Sequence, residues 1–186
     1  MIRRGRSGAA IATVALFVGA VMAPALMTRP MHEWLAAAAL CLLAGWIAID
    51  DLRTLLIPDL AVVGIGAVGL ALAVNDLADP AAILRWLGMA FGVAALLFLF
   101  SFVYGRLRGV SVMGFGDIKL VAASALLVGP WGLGLQILIA SLSALIFVLI
   151  RSIRRGRRPR FAAALPFGTF LAPAAAIVWA WFGRGA

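Results

Sequence analysis

Ile49-Asp50-Asp51-Leu52-Arg53-Thr54-Leu55-Leu56-Ile57-Pro58-Asp59 separates two apolar runs, 34–50 and 57–75, each about long enough to cross a hydrocarbon layer. Three aspartates and an arginine therefore fall at the junction of two lipid-compatible segments. Carboxylates at such places are costly and, as a rule, functional. A further aspartate begins another apolar run, in Met113-Gly114-Phe115-Gly116-Asp117-Ile118-Lys119.

Working outward from this junction, the chain repeats the same alternation. Its 186 residues are 65% hydrophobic and only 12% charged, with a mean hydropathy of +1.13. That composition excludes an ordinary soluble domain. Apolar segments run over 9–27, 34–50, 57–75, 81–104, 118–131, 133–150 and 167–183. A backbone in lipid must satisfy its own hydrogen bonds, so all of them are read as helices. The expected fold is all-α and polytopic, about seven transmembrane helices (six to eight), forming a single membrane-embedded domain over 1–186. The break between the fifth and sixth segments rests on Gly129-Pro130-Trp131-Gly132, a turn signal. Gly64, Gly66, Gly69, Gly88 and Gly92 lie inside spans, where glycine usually marks close helix contact. Cys41 alone offers neither a disulfide framework nor a thiolate metal site, and no repeat, low-complexity tract or soluble domain is evident.

The net charge of +9 and pI near 11.7 raise the possibility of a nucleic-acid partner, but the basic residues flank apolar segments instead. With a cytoplasmic N-terminus, Arg3, Arg4, Arg6, Arg53, Arg106, Arg108, Lys119 and the arginines of 151–160 all fall inside. Only Arg29, Arg85 and Arg184 fall outside. The positive-inside rule supports this layout, and Asp50, Asp51, Asp59 and Asp117 then share the cytoplasmic face. Residues 1–8 form a basic cytoplasmic N-terminus and 151–166 a basic cytoplasmic loop, suited to anionic lipid and expected to sit away from the aspartates. His32 is expected at the outer interface. The first segment, followed by Ala23-Pro24-Ala25, has the look of a signal peptide. It is read as an uncleaved span, and cleavage would leave every later segment on its side.

Taken separately, each acidic constellation has a plain reading. Asp50, Asp51 and Asp59 suit a solvated turn with capping carboxylates, and Pro58 suits the first turn of the next helix. Gly114 and Gly116 let the backbone turn tightly or approach another chain. Asp117 suits a helix start, where the dipole favours negative charge, with Lys119 as an interface anchor. Taken together they suggest chemistry. Two carboxyls at one depth can share a proton, because like charges a few ångströms apart resist joint ionisation. The ionised member can activate water and the protonated one can polarise a peptide carbonyl. That chemistry needs neither cofactor nor metal.

At this point the sequence resembles the type IV prepilin peptidase family, membrane aspartic proteases of GxGD type. In that family one aspartate stands seven residues before the proline of a Leu/Ile-Pro-Asp/Asn element, which here selects Asp51 over its rival Asp50. The second stands in GxGDxK, here Gly114-Phe115-Gly116-Asp117-Ile118-Lys119. A third stretch, Leu165-Pro166-Phe167-Gly168-Thr169-Phe170-Leu171-Ala172-Pro173, is similar to the family's Pro-Phe-Gly-Pro-Phe-Leu-Ala, with Thr169 where proline is usual. The resemblance covers about 34–180. It implies a bacterial inner-membrane endopeptidase that cleaves the short basic leader from pilin-like precursors, with Asp51 and Asp117 as the catalytic pair. Asp59, Pro58, Gly114, Gly116 and Lys119 would support them. Which aspartate is the base stays open, as does the role of Lys119 in tuning charge or anchoring its helix. The paired CxxC motifs of longer members are missing, so the shorter tight-adherence (Flp-type) members are the nearer likeness. Archaeal preflagellin peptidases share the same logic, and methylation of the product is left unassigned.

Two other classes stand beside this reading. A transporter or channel could use the aspartates as a relay, but the interiors of 57–75, 118–131 and 133–150 contain no ionisable residue after their first turns to continue it. An inactive pilus-assembly component would keep the fold without needing both carboxyls. Oligomeric state is not legible.

Overall fold

The computed structural model describes residues 3–76, 80–109, 113–154 and 165–183. These form an all-α bundle of six helices: α1 (Arg3–Leu26), α2 (Met31–Thr54), α3 (Asp59–Asp76), α4 (Pro80–Arg108), α5 (Phe115–Arg154) and α6 (Gly168–Phe182). Of these, α1, α2, α4 and α5 are long and apolar enough to cross a membrane, whereas α3 and α6 are apolar but shorter. The protein is thus a multi-pass helical membrane protein. Most of the basic loop expected over 151–166 lies outside the described residues, as do the side chains of residues 3–8.

Packing brings many small residues inward, as is common for helices in lipid, beside larger core side chains such as Leu40, Ile47, Leu120 and Leu127. Ala44, Ala48, Ala61, Ala125, Ala140 and Ala174–Ala176 are buried between helices, while Phe17, Phe91, Leu96, Phe98 and Leu107 are exposed. Gly69 meets α5 so closely that a Cβ would lie 2.9 Å from the backbone at Leu126 and Leu127, and one at Gly64 would lie 3.0 Å from Leu43. Gly88 and Gly92 depart from that expectation: a Cβ at either position would meet nothing within 4 Å. Both lie on α4, which buries only Ala82 and Ala90.

The fifth and sixth expected spans are joined into α5, which runs from Phe115 to Arg154 without an intervening loop. Forty residues in one straight helix would extend about 60 Å, twice the hydrocarbon thickness. The element is broken instead at Gly129, with φ 71° and ψ −178°, immediately before Pro130. Its contacts show that the two arms fold back on each other. The first arm rises from Gly116, set against Ile57 just ahead of α3, and runs alongside α3 with Gly66 against Ala123 and Gly69 against Leu126. The second arm descends along α6. Gly132 packs on Val178, Gln136 Nε2 donates to Leu171 O at 3.1 Å, and Phe147 meets Phe170 with ring centroids 5.5 Å apart. The turn expected at 129–132 is therefore present, tightened to a single glycine.

Neighbouring helices alternate in the same way. Gly45 of α2 faces Ile11 of α1, and Gly19 faces Cys41, so these two run antiparallel. The C-terminal ends of α2 and α4 and the N-terminal ends of α3, α5 and α6 gather at one end of the bundle. Arg53, Arg106, Arg108, Arg151 and Arg154 occupy last turns there. At the opposite end Arg29 pairs with Glu33 at 2.7 Å, stacks over Trp179 at 5.5 Å and donates to its carbonyl at 3.4 Å. His32 is exposed at that same far end, in the first turn of α2.

Candidate active site

Helix α2 continues past its apolar run to Thr54, so Asp50 and Asp51 sit in its last turns instead of in a solvated turn. The helix stops because Leu55 adopts a left-handed conformation (φ 56°, ψ 28°) and returns its N–H to Asp51 O. Pro58 then begins the next element: its carbonyl accepts the N–H groups of Ala61 and Val62. The Asp51 side chain turns inward and is only 4% exposed. A buried carboxylate needs hydrogen bonds, and α6 supplies them. The N–H of Thr169 donates to Asp51 Oδ2 at 2.8 Å. The Thr169 hydroxyl lies 3.3 Å from the same oxygen and 3.1 Å from Ala48 O.

Asp117 is in the first turn of α5, its N–H directed to Gly114 O at 3.1 Å. It lies close enough to Asp51 for the two charges to interact. Both carboxyls line one cleft of about 530 Å³, together with Leu55, Leu56, Ile57, Asp59, Gly114, Phe115, Gly116 and Lys119. Ile57 joins the three chain segments that meet here. A Cβ on Gly116 would lie 3.2 Å from Ile57 Cβ, and one on Gly168 would lie 2.7 Å from Ile57 Cδ1 and 3.1 Å from Asp51 Oδ2. A side chain at position 168 would force Ile57 or the Asp51 carboxyl to shift, and one at position 116 would press on Ile57.

The other expected site residues divide by position. Asp59 and Lys119 pair with each other across the mouth of the cleft, joining the start of α3 to the start of α5. Lys119 also lies 5.1 Å from the centre of the Phe115 ring. Asp59 is strongly exposed, at 76% of its side chain, so this contact contributes little stability. Asp50 is drawn away from the cleft: its Oδ2 accepts the Trp46 indole N–H at 2.7 Å, and it is not a lining residue. Sequence reasoning passed over Ile57 and treated Thr169 only as a departure from proline. The available signal was a hydroxyl and a free N–H in the first turn of an apolar helix. Among the described residues no group of three His, Cys, Asp or Glu side chains offers a metal-ligand set.

A multi-pass helical protein with two carboxyl groups lining one cleft is the class that fold and site define. The chain belongs to the type IV leader peptidase family, whose model matches residues 35–149. A prepilin leader peptidase/N-methyltransferase of Burkholderia pseudomallei is 33% identical over 168 residues, 89% of this chain and 52% of the relative. One from Xanthomonas campestris pv. campestris is 34% identical over 141 residues, 76% of this chain and 47% of the relative. The chain thus spans about half the length of the curated relatives it matches. No solved structure gives a significant match.

Proposed function

We propose that the protein is a membrane-embedded aspartic endopeptidase that removes the short basic leader of pilin-like precursors, with those of tight-adherence pili the nearest fit. The observation that carries this reading is the convergence of Asp51 and Asp117 on one cleft. In the mechanism, the ionised carboxyl takes a proton from water as the water oxygen bonds to the scissile carbonyl carbon. The protonated carboxyl gives its proton to the carbonyl oxygen, leaving a neutral tetrahedral diol. As the C–N bond breaks, a carboxyl passes a proton to the departing nitrogen and the diol returns one, so the pair ends as it began. The pair acts as one coupled titrating unit. The peptidase part of the relatives' name is carried over here, and the methyltransferase part is not.

The same proposal includes orientation. Both arms of α5 cross the bilayer, giving seven spans, and the cleft opens at the cytoplasmic face of the inner membrane. Arginines in the last turns of α2, α4 and α5 at the cleft end support this.

Coexpression with a pilin-like precursor, read by its gel shift, tests the reading. Asp51→Asn or Asp117→Asn is expected to lower leader removal at least about a hundredfold, the usual scale of a lost acid–base group, while the protein still inserts. Asp50→Asn retains the acceptor for Trp46 and is expected to keep most activity. Normal processing by Asp51→Asn or Asp117→Asn would remove the assignment. Loss of processing in Asp50→Asn would move it one residue upstream.

A further inference from the structure

Asp51 is held by a residue 118 positions further along the chain. Thr169 is the second residue of α6, and N–H groups in the first turn of a helix have no partner within it. Its N–H is therefore available to Asp51 Oδ2, which it reaches at 2.8 Å. The hydroxyl carries a single proton and faces two acceptors, Asp51 Oδ2 at 3.3 Å and Ala48 O at 3.1 Å. These two donors behave differently. The N–H is fixed by the helix and points at the carboxyl whatever its charge. The hydroxyl can rotate: it turns to an ionised carboxylate, which attracts it strongly, and can release to Ala48 O when Asp51 takes up a proton.

We propose that Thr169 is a positioning residue for the peptidase reaction, clamping Asp51 Oδ2 so that Oδ1 is left to exchange a proton with water in the cleft. The inference rests on the peptidase reading of the site. Thr169 itself does not line the cleft, so it acts through Asp51 and has no direct part in holding substrate. Its effect belongs to turnover and not to binding.

The test uses the full-length protein in detergent micelles with a purified precursor carrying a short basic leader ahead of an apolar segment. Thr169→Val removes the hydroxyl and keeps the N–H. The expected result is a kcat several-fold lower in Thr169→Val, as the hydroxyl's hydrogen bond to Asp51 is lost. KM and Tm should stay at wild-type values, and Thr169→Ser should restore kcat. A kcat within twofold of wild type in Thr169→Val overturns the proposal. So does a fall that tracks Tm and is not rescued by serine, because that outcome describes a packing role. Asp51→Asn in the same assay separates the two levels. If it is inactive while the Thr169 variants are normal, only the clamp fails; if it cleaves normally, the peptidase reading fails and takes the clamp with it.

Discussion

Ile57 is wedged between two glycines that belong to different helices, and a Cβ at one of them, Gly168, would also meet the buried carboxyl of Asp51. Gly168→Ala places a methyl group 2.7 Å from Ile57 Cδ1 and 3.1 Å from Asp51 Oδ2. Overpacking of this kind costs about 1–3 kcal/mol, so a lower Tm in detergent is expected together with reduced leader removal. Ile57→Val deletes the clashing Cδ1 atom. In the Gly168→Ala background it is expected to recover at least half of the lost Tm, a non-additivity that thermal melts of the two single variants and the double would show. Additive losses would mean that Ile57 is not the obstructing atom. The family resemblance, counted back from Pro58, singled out Asp51 in the sequence, and the Trp46–Asp50 bond gives a physical reason for the neighbour to stand aside. The wedge was not legible, because it depends on three segments brought together by packing and no local pattern encodes such a meeting.

Among the elements, α5 shows what hydropathy can and cannot locate. A glycine–proline turn signal located the break in its forty residues, since the backbone constraints of glycine and proline are local. Hydropathy could not show that a single glycine performs the reversal. At φ 71° and ψ −178°, Gly129 occupies a region essentially restricted to glycine, where another residue stores about 1–3 kcal/mol of strain. Gly129→Ala is expected to lower Tm in detergent, while Gly134→Ala, where a Cβ meets nothing within 4 Å, should leave it near wild type. Equal melting of the two would refute the strained turn. The ends of α2 were misjudged for a related reason. Apolar periodicity stops at residue 50, but backbone hydrogen bonding runs on to Thr54, carrying two carboxyls on helical turns. A helix outlasts its greasy stretch when a neighbour, here α6, accommodates the polar groups that follow.

At the scale of the whole molecule, class was the most legible property, because hydropathy and charge placement report the solvent the chain sits in. Topology can be checked directly. Cys41 is buried, so a Cys41→Ala background leaves no native thiol for a probe. Leu107, near the cleft end, and Met27, at the far end, are both 77% exposed. With a membrane-impermeant maleimide, Leu107→Cys should label only in inverted vesicles and Met27→Cys only in intact cells. Labelling of both from one side would refute the proposed orientation. The long sequence separation between Asp51 and Thr169 also bears on biogenesis. During synthesis α3, α4 and α5 follow Asp51 before the donor on α6 has been made, and that carboxyl must wait in a half-built bundle for its partner. A chain truncated ahead of α6 would keep the helices before it, yet would hold the Asp51 carboxyl unfastened.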